Sequence, residues 1–186
     1  MLGCRAASGT GRTRAQLPSV AGSPNRGSVL LSKRVMAEIC LPDRPVWYHG
    51  PVSIERINPD ELGRPSGFSH AVAAHGGRLV FLAGQTGYQP DGRIVDGGVV
   101  PQFERALSNL LAALRAAGGH PSNLVTLTIY AVDLDDYRAH GREIGDVWRR
   151  LCGREYPAMA AVGVPRLWDA DALVEVQGAA VVEAAH

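Results

Sequence analysis

Few residues of this chain combine a reactive side chain with a setting that could use it. Glu175 is the first. It stands between Val174 and Val176 in the run Leu173-Val174-Glu175-Val176, so strand alternation puts the valines on one face and the carboxylate on the other. A carboxylate so placed beside a cleft can exchange protons with water; equally, it can be a solvated or ion-paired surface group. His70 precedes an apolar run and could act near neutral pH, or serve as a hydrogen-bonded structural histidine. Gly84 ends the strand Leu79-Val80-Phe81-Leu82-Ala83-Gly84-Gln85 and offers a backbone N–H to an oxygen. Trp168 lies in the loop before the last strand, where it can roof a cleft. Trp148 falls at the inward spacing of a helix and reads as core.

Other chemistries find little support. The six histidines (His49, His70, His75, His120, His140, His186) show no close ligand spacing, so no metal site is expected. Cys152 sits at a helix end without a neighbouring histidine and reads as a buried thiol. Gly76-Gly77 and Gly97-Gly98 lack the continuation that a phosphate loop needs. Cys4, Cys40 and Cys152 are odd in number and scattered, which implies no disulfide framework and favours a reducing, cytoplasmic setting.

The elements that must position these residues follow from periodicity. Val52 to Ile57 reads as a first strand ended by Pro59. Ala71–Ala74 and Arg78–Ala83 flank His75-Gly76-Gly77 and predict a glycine-turn hairpin. Gln102 to Ala117 is the clearest helix. Phe103, Ala106, Leu107, Leu110, Leu111, Leu114 and Ala117 form one apolar face, and Gly118-Gly119 with Pro121 ends it. Leu124–Val132 is a β-branched strand. Asp135 or Asp136 is expected to cap a second helix, Tyr137 to Leu151, with Ile144, Val147, Trp148 and Leu151 inward. Ala158–Val164 and Leu173–Val182 complete the order β-β-β-α-β-α-β-β. This is an α+β layer with a mixed sheet and both helices on one face.

Of 186 residues, 46% are hydrophobic and 20% charged, ordinary values for one globular domain. No apolar run approaches the roughly 18 residues of a membrane span. Residues 1–51 read as a disordered tail and linker, residues 52–186 as the domain. The first 35 carry Arg5, Arg12, Arg14, Arg26, Lys33 and Arg34 and no acid before Glu38. That composition fits an organelle leader, but a misassigned start, with translation beginning at Met36, is the favoured reading. Thirteen basic against eighteen acidic residues then remain, a net charge of −5. Such a body is a poor partner for nucleic acid.

Five segments, in order, resemble the Rid/YjgF family of imine and enamine deaminases. They are Leu79–Gln85; Gln102, Leu107, Asn109 and Ala116-Ala117-Gly118; Asp133–Tyr137; Pro157-Ala158; and Leu173–Ala180, together spanning about residues 52–183. The resemblance implies a chorismate-mutase-like fold, a homotrimer with small-molecule clefts between subunits, and no metal or organic cofactor. It makes Glu175 the residue that positions the hydrolytic water. It also exposes departures. Met159 stands where the deaminases have an arginine that clamps the substrate carboxylate. An arginine fork makes two charge-assisted hydrogen bonds, whereas methionine gives a flexible apolar wall. Ala83 replaces a common serine, and His70 takes the register of a common tyrosine. The loop Leu167–Ala172 is one residue longer than the commonest form. The implied function is a deaminase-like hydrolase with altered substrate preference, its ligand lacking the usual carboxylate. A non-catalytic trimeric binder of apolar small molecules is the alternative. The ribonuclease or translation-inhibitor role known in family names is disfavoured by the acidic body.

Overall fold

The computed structural model describes residues 51–184; the expectations for the tail, for Met36 and for most of the linker lie outside the described residues. The chain runs through β1 (Ser53–Ile57), β2 (Ala71–His75), β3 (Arg78–Gln85), α1 (Val99–Ala116), β4 (Leu124–Ala131), α2 (Leu134–Ala139), α3 (Gly141–Cys152), β5 (Ala158–Gly163) and β6 (Val174–Val182). Four strands form a mixed sheet in the order β3-β6-β4-β5, and β1 pairs with β2 in a separate antiparallel ribbon. Within the sheet only β4 and β5 are parallel.

Helix α1 carries the packing. Phe103, Ala106, Leu107, Leu110, Leu111 and Leu114 are buried against Leu127, Ile129, Val174, Val176, Ala180 and Val182 of the sheet. The helix begins three residues before its expected start, because Val99 is itself buried and Pro101 falls in the first turn, where a missing N–H costs nothing. Its end is as predicted. Gly118 has φ +82°, and the Gly119 and Gly118 N–H groups donate to Leu114 and Arg115 carbonyls at 2.9 Å each. A left-handed residue is needed for that closure, and glycine adopts it freely.

Two expectations are corrected. The second helix is two helices. Asp133, rather than Asp135 or Asp136, caps the first by accepting the Asp136 N–H. The chain then breaks at His140, whose ring Nδ1 and backbone N–H both engage the Asp136 carbonyl, and Gly141 starts α3. The hairpin expected between β2 and β3 is not a ladder. Gly76 and Gly77 do turn the chain, at φ +72° and +68°, but β2 is taken by β1 and β3 by β6. A side chain at Gly77 would collide with the Val182 carbonyl and with Val52, so the turn passes between the two sheets.

Candidate active site

The face of the sheet away from the helices follows from register. Leu127, Ile129 and Ala131 of β4 are buried, while Thr128 and Tyr130 alternate with them on the other side. Tyr130 is opposite Glu175 and Thr128 opposite Gln177. Glu175 therefore leaves the core face, with Val174 and Val176 fully buried behind it. Gln177 donates from Nε2 to the Tyr130 hydroxyl at 2.7 Å. Tyr130 and Gln177 were not singled out in the sequence. Their signal is the polar i, i+2 pair Glu175 and Gln177 on an otherwise apolar strand.

Gly84 joins this group from β3. The β3–β6 register slips between Leu82 and Gln85, and Gly84 lies in that irregularity, a feature that recurs beside active sites. A β-carbon placed on Gly84 would overlap Oε1 of Glu175 and approach its Cδ within 2.8 Å. Glycine is required here for space. Ala83, next to it, is exposed and contributes only a methyl group. Glu175, Gly84 and Ala83 thus form one polar-edged corner.

Met159 and His70 are elsewhere. Met159 pairs with Leu127 on β5, faces the helix layer, and packs half-buried against the core. Strand β4 separates β5 from β6, a spacing of roughly 10 Å for two strand intervals. Within one subunit Met159 and Glu175 thus look to opposite faces. His70 stands before β2, edge-on to Phe68 at 5.1 Å between ring centres, with Nε2 3.1 Å from the Gly63 carbonyl. Ser69 bridges Ala158 and donates from its hydroxyl to the Tyr156 carbonyl at 2.7 Å. These contacts bring His70 and Met159 into one shallow concavity.

Trp168 is 96% exposed and roofs nothing among the described residues. The end of its loop is held firmly. Gln102, buried, donates from Nε2 to the Asp171 carbonyl at 3.0 Å and accepts the Leu173 N–H at 2.7 Å. Tyr88 donates its hydroxyl to Asp169 at 2.6 Å. Trp148 is buried, stacked on Tyr156 at 5.3 Å. Burial pushes the Cys152 thiol up to about 12.

A mixed sheet with helices on one face and a glutamate–glycine corner on the other defines a small α+β protein. The chain belongs to the family whose model is described as Endoribonuclease L-PSP, matched over residues 60–182, the Rid/YjgF proteins. A Rid-family protein of unknown function from Yersinia pestis has a similar solved structure. It has 32% identity and a TM-score of 0.61, covering 69% of this chain and 98% of that one. A RutC family protein of Pyrococcus abyssi is 33% identical over 69% of this chain and 98% of its own. The goat 2-iminobutanoate/2-iminopropanoate deaminase is 35% identical over 54% of this chain and 69% of its own. No helix among the described residues is long and apolar enough to cross a membrane.

Proposed function

We propose that this chain is a deaminase-like hydrolase of imines or enamines, with a preference shifted away from small 2-imino acids, acting in clefts between subunits of a homotrimer. The observation that carries the reading is the Glu175 carboxylate lodged over Gly84. That arrangement holds a proton acceptor beside a strand irregularity where a substrate can approach backbone. Water adds to the carbon of the C=N bond. Glu175 takes a proton from that water and returns it to nitrogen, and the adduct collapses to a carbonyl compound and ammonia. Similarity to proteins named 2-iminobutanoate/2-iminopropanoate deaminase supports the reaction class. Met159 argues for the altered preference, since it offers a carboxylate no charge-assisted hydrogen bond.

Two features favour a cleft shared by subunits. Glu175 and Gly84 lie on one face, whereas Met159 and His70 lie at the β5 side, so a site holding both needs two chains. The outer sheet face also exposes Leu79, Phe81 and Val162, an apolar surface of the sort that subunits cover. Ammonia release from a panel of imines generated in situ tests the hydrolase. Equal rates for the wild type and Glu175→Ala would sink it.

Ala83 and Met159 specifically favour a second reading, a trimer that binds weakly polar molecules without turning them over. Ligand-dependent thermal shifts without ammonia release, weakened by Met159→Glu, would establish it. The ribonuclease function in the family description draws no support from a body with a net charge of −5.

A further inference from the structure

The outer face of the sheet carries a polar pair that the water chemistry does not use. Strand β6 lies between β3 and β4, so Glu175 has a neighbour on each side. Toward β3 its carboxylate sits over Gly84. Toward β4 it stands opposite Tyr130, and directly opposed residues have β-carbons only about 5 Å apart. Two positions along β6, Gln177 shares the same face and donates from Nε2 to the Tyr130 hydroxyl at 2.7 Å. Neither side chain has another hydrogen bond among the described residues. Gln177 is exposed and Tyr130 half-buried, so a ligand beside Glu175 can reach both.

A hydroxyl has one proton to give and two lone pairs, and an amide oxygen only accepts. With one lone pair of Tyr130 taken by Gln177, the hydroxyl proton is left to donate and the Gln177 Oε1 to accept. Turned end for end, the amide would take the hydroxyl proton and still leave an N–H donor beside a hydroxyl lone pair. Either rotamer therefore presents one donor and one acceptor side by side. That pattern matches a primary carboxamide, whose C=O accepts and whose N–H donates along the same edge. It mismatches a carboxylate, which brings no donor and also faces the Glu175 charge.

We propose that Tyr130 and Gln177 select the substrate by gripping a carboxamide bonded to the C=N carbon, which makes 2-imino carboxamides and their enamine tautomers the favoured class. The pair touches the substrate without moving a proton, while Glu175 activates the water. The proposal rests on the hydrolase reading of this corner and names the group that stands where a 2-imino acid has its carboxylate.

The test titrates two probes into the full chain by calorimetry. Picolinamide and picolinate are stable, equal in size, and carry a ring C=N beside a carboxamide or a carboxylate. The wild type is expected to bind the amide at least about tenfold more tightly, as two neutral hydrogen bonds allow. Tyr130→Phe should cut that preference several-fold while leaving picolinate binding unchanged, which a merely structural loss would not do. Glu175→Gln removes the neighbouring charge, and the preference should survive it. In that background, Tyr130→Phe with Gln177→Leu should erase it. Equal affinity of the two probes for the wild type, a preference lost in Glu175→Gln alone, or one untouched by Tyr130→Phe would overturn the proposal. So would failure of both probes to bind. Ammonia release plays no part in the readout. A carboxamide preference without turnover would sink the hydrolase and leave the grip standing; turnover without that preference would sink the grip alone.

Discussion

The Glu175 carboxylate occupies the volume that a β-carbon on Gly84 would take, although the two residues lie on different strands and far apart in the chain. The smallest possible substitution at Gly84 is therefore aimed at the carboxylate. Gly84→Ala should push Glu175 aside while leaving the fold intact, since the clash is with the end of a side chain. Ammonia release should fall by roughly 10²–10⁴-fold, the range of acid–base contributions, as in Glu175→Ala. A circular dichroism spectrum like the wild type's, together with the lost rate, would check this.

On the proposed reading, Met159→Arg supplies a cation able to hold the carboxylate of a small 2-imino acid. Hydrolysis of 2-iminopropanoate should appear or improve, with apparent affinity at least about tenfold better. Steady-state kinetics with the imine generated in situ reads the change. An unchanged rate would assign the altered preference to Ala83 and His70 as well.

Phe81 is 81% exposed on the outer sheet face. Phe81→Asp should break the assembly, because each subunit would bring a carboxylate into an apolar contact. Sedimentation equilibrium should give one trimeric species for the wild type and a smaller one for the variant.

The break between α2 and α3 should respond to pH. The His140 pKa is raised, chiefly by its ring's hydrogen bond to the Asp136 backbone and further by the Asp136 and Glu143 charges. A raised value in the folded chain means a stabilisation fully present below the unfolded value, near 6.5, and lost as pH rises through the folded one. An NMR titration of the His140 ring should give a midpoint above 6.5. His140→Gln should remove that part of the pH dependence of unfolding.

Asp133→Ala removes the cap of α2 and leaves the Asp136 N–H without its acceptor. Urea unfolding should show a loss of about 1 kcal/mol. Asp135→Ala, outside the cap, should leave stability near that of the wild type.

Cys152 should be inert. With its thiol held up to about 12 by burial, a chain carrying Cys4→Ser and Cys40→Ser should not react with a disulfide reagent at pH 8 until denaturant is added. Release of one thiol equivalent on unfolding completes the check.

The elements set by local pattern were legible in the sequence. The apolar stripe of α1 and the β-branched run of β4 place those elements to within a few residues, because burial and periodicity are read along one segment. The break at His140 was not legible, since a histidine ring competing for a carbonyl looks like any helical histidine until the chain bends. Nor was the fate of Gly76-Gly77, where partners far along the sequence decide which sheet each strand joins. The site divides in the same way. Alternation correctly turned Glu175 away from the core, but its meeting with Gly84 depends on β3 lying beside β6.

Gln102 makes the loop before β6 a replaceable part. Its amide grips Asp171 and Leu173 from a helix buried in the core, so the start of β6 is set by the helix and not by the length of chain between β5 and β6. A change in the length of this loop ahead of Asp171 would leave the grip, and the strand that presents Glu175, in place. Residues 164–168, Trp168 included, can accordingly be varied as an exchangeable cassette, while the corner of Glu175 and Gly84 is left unchanged.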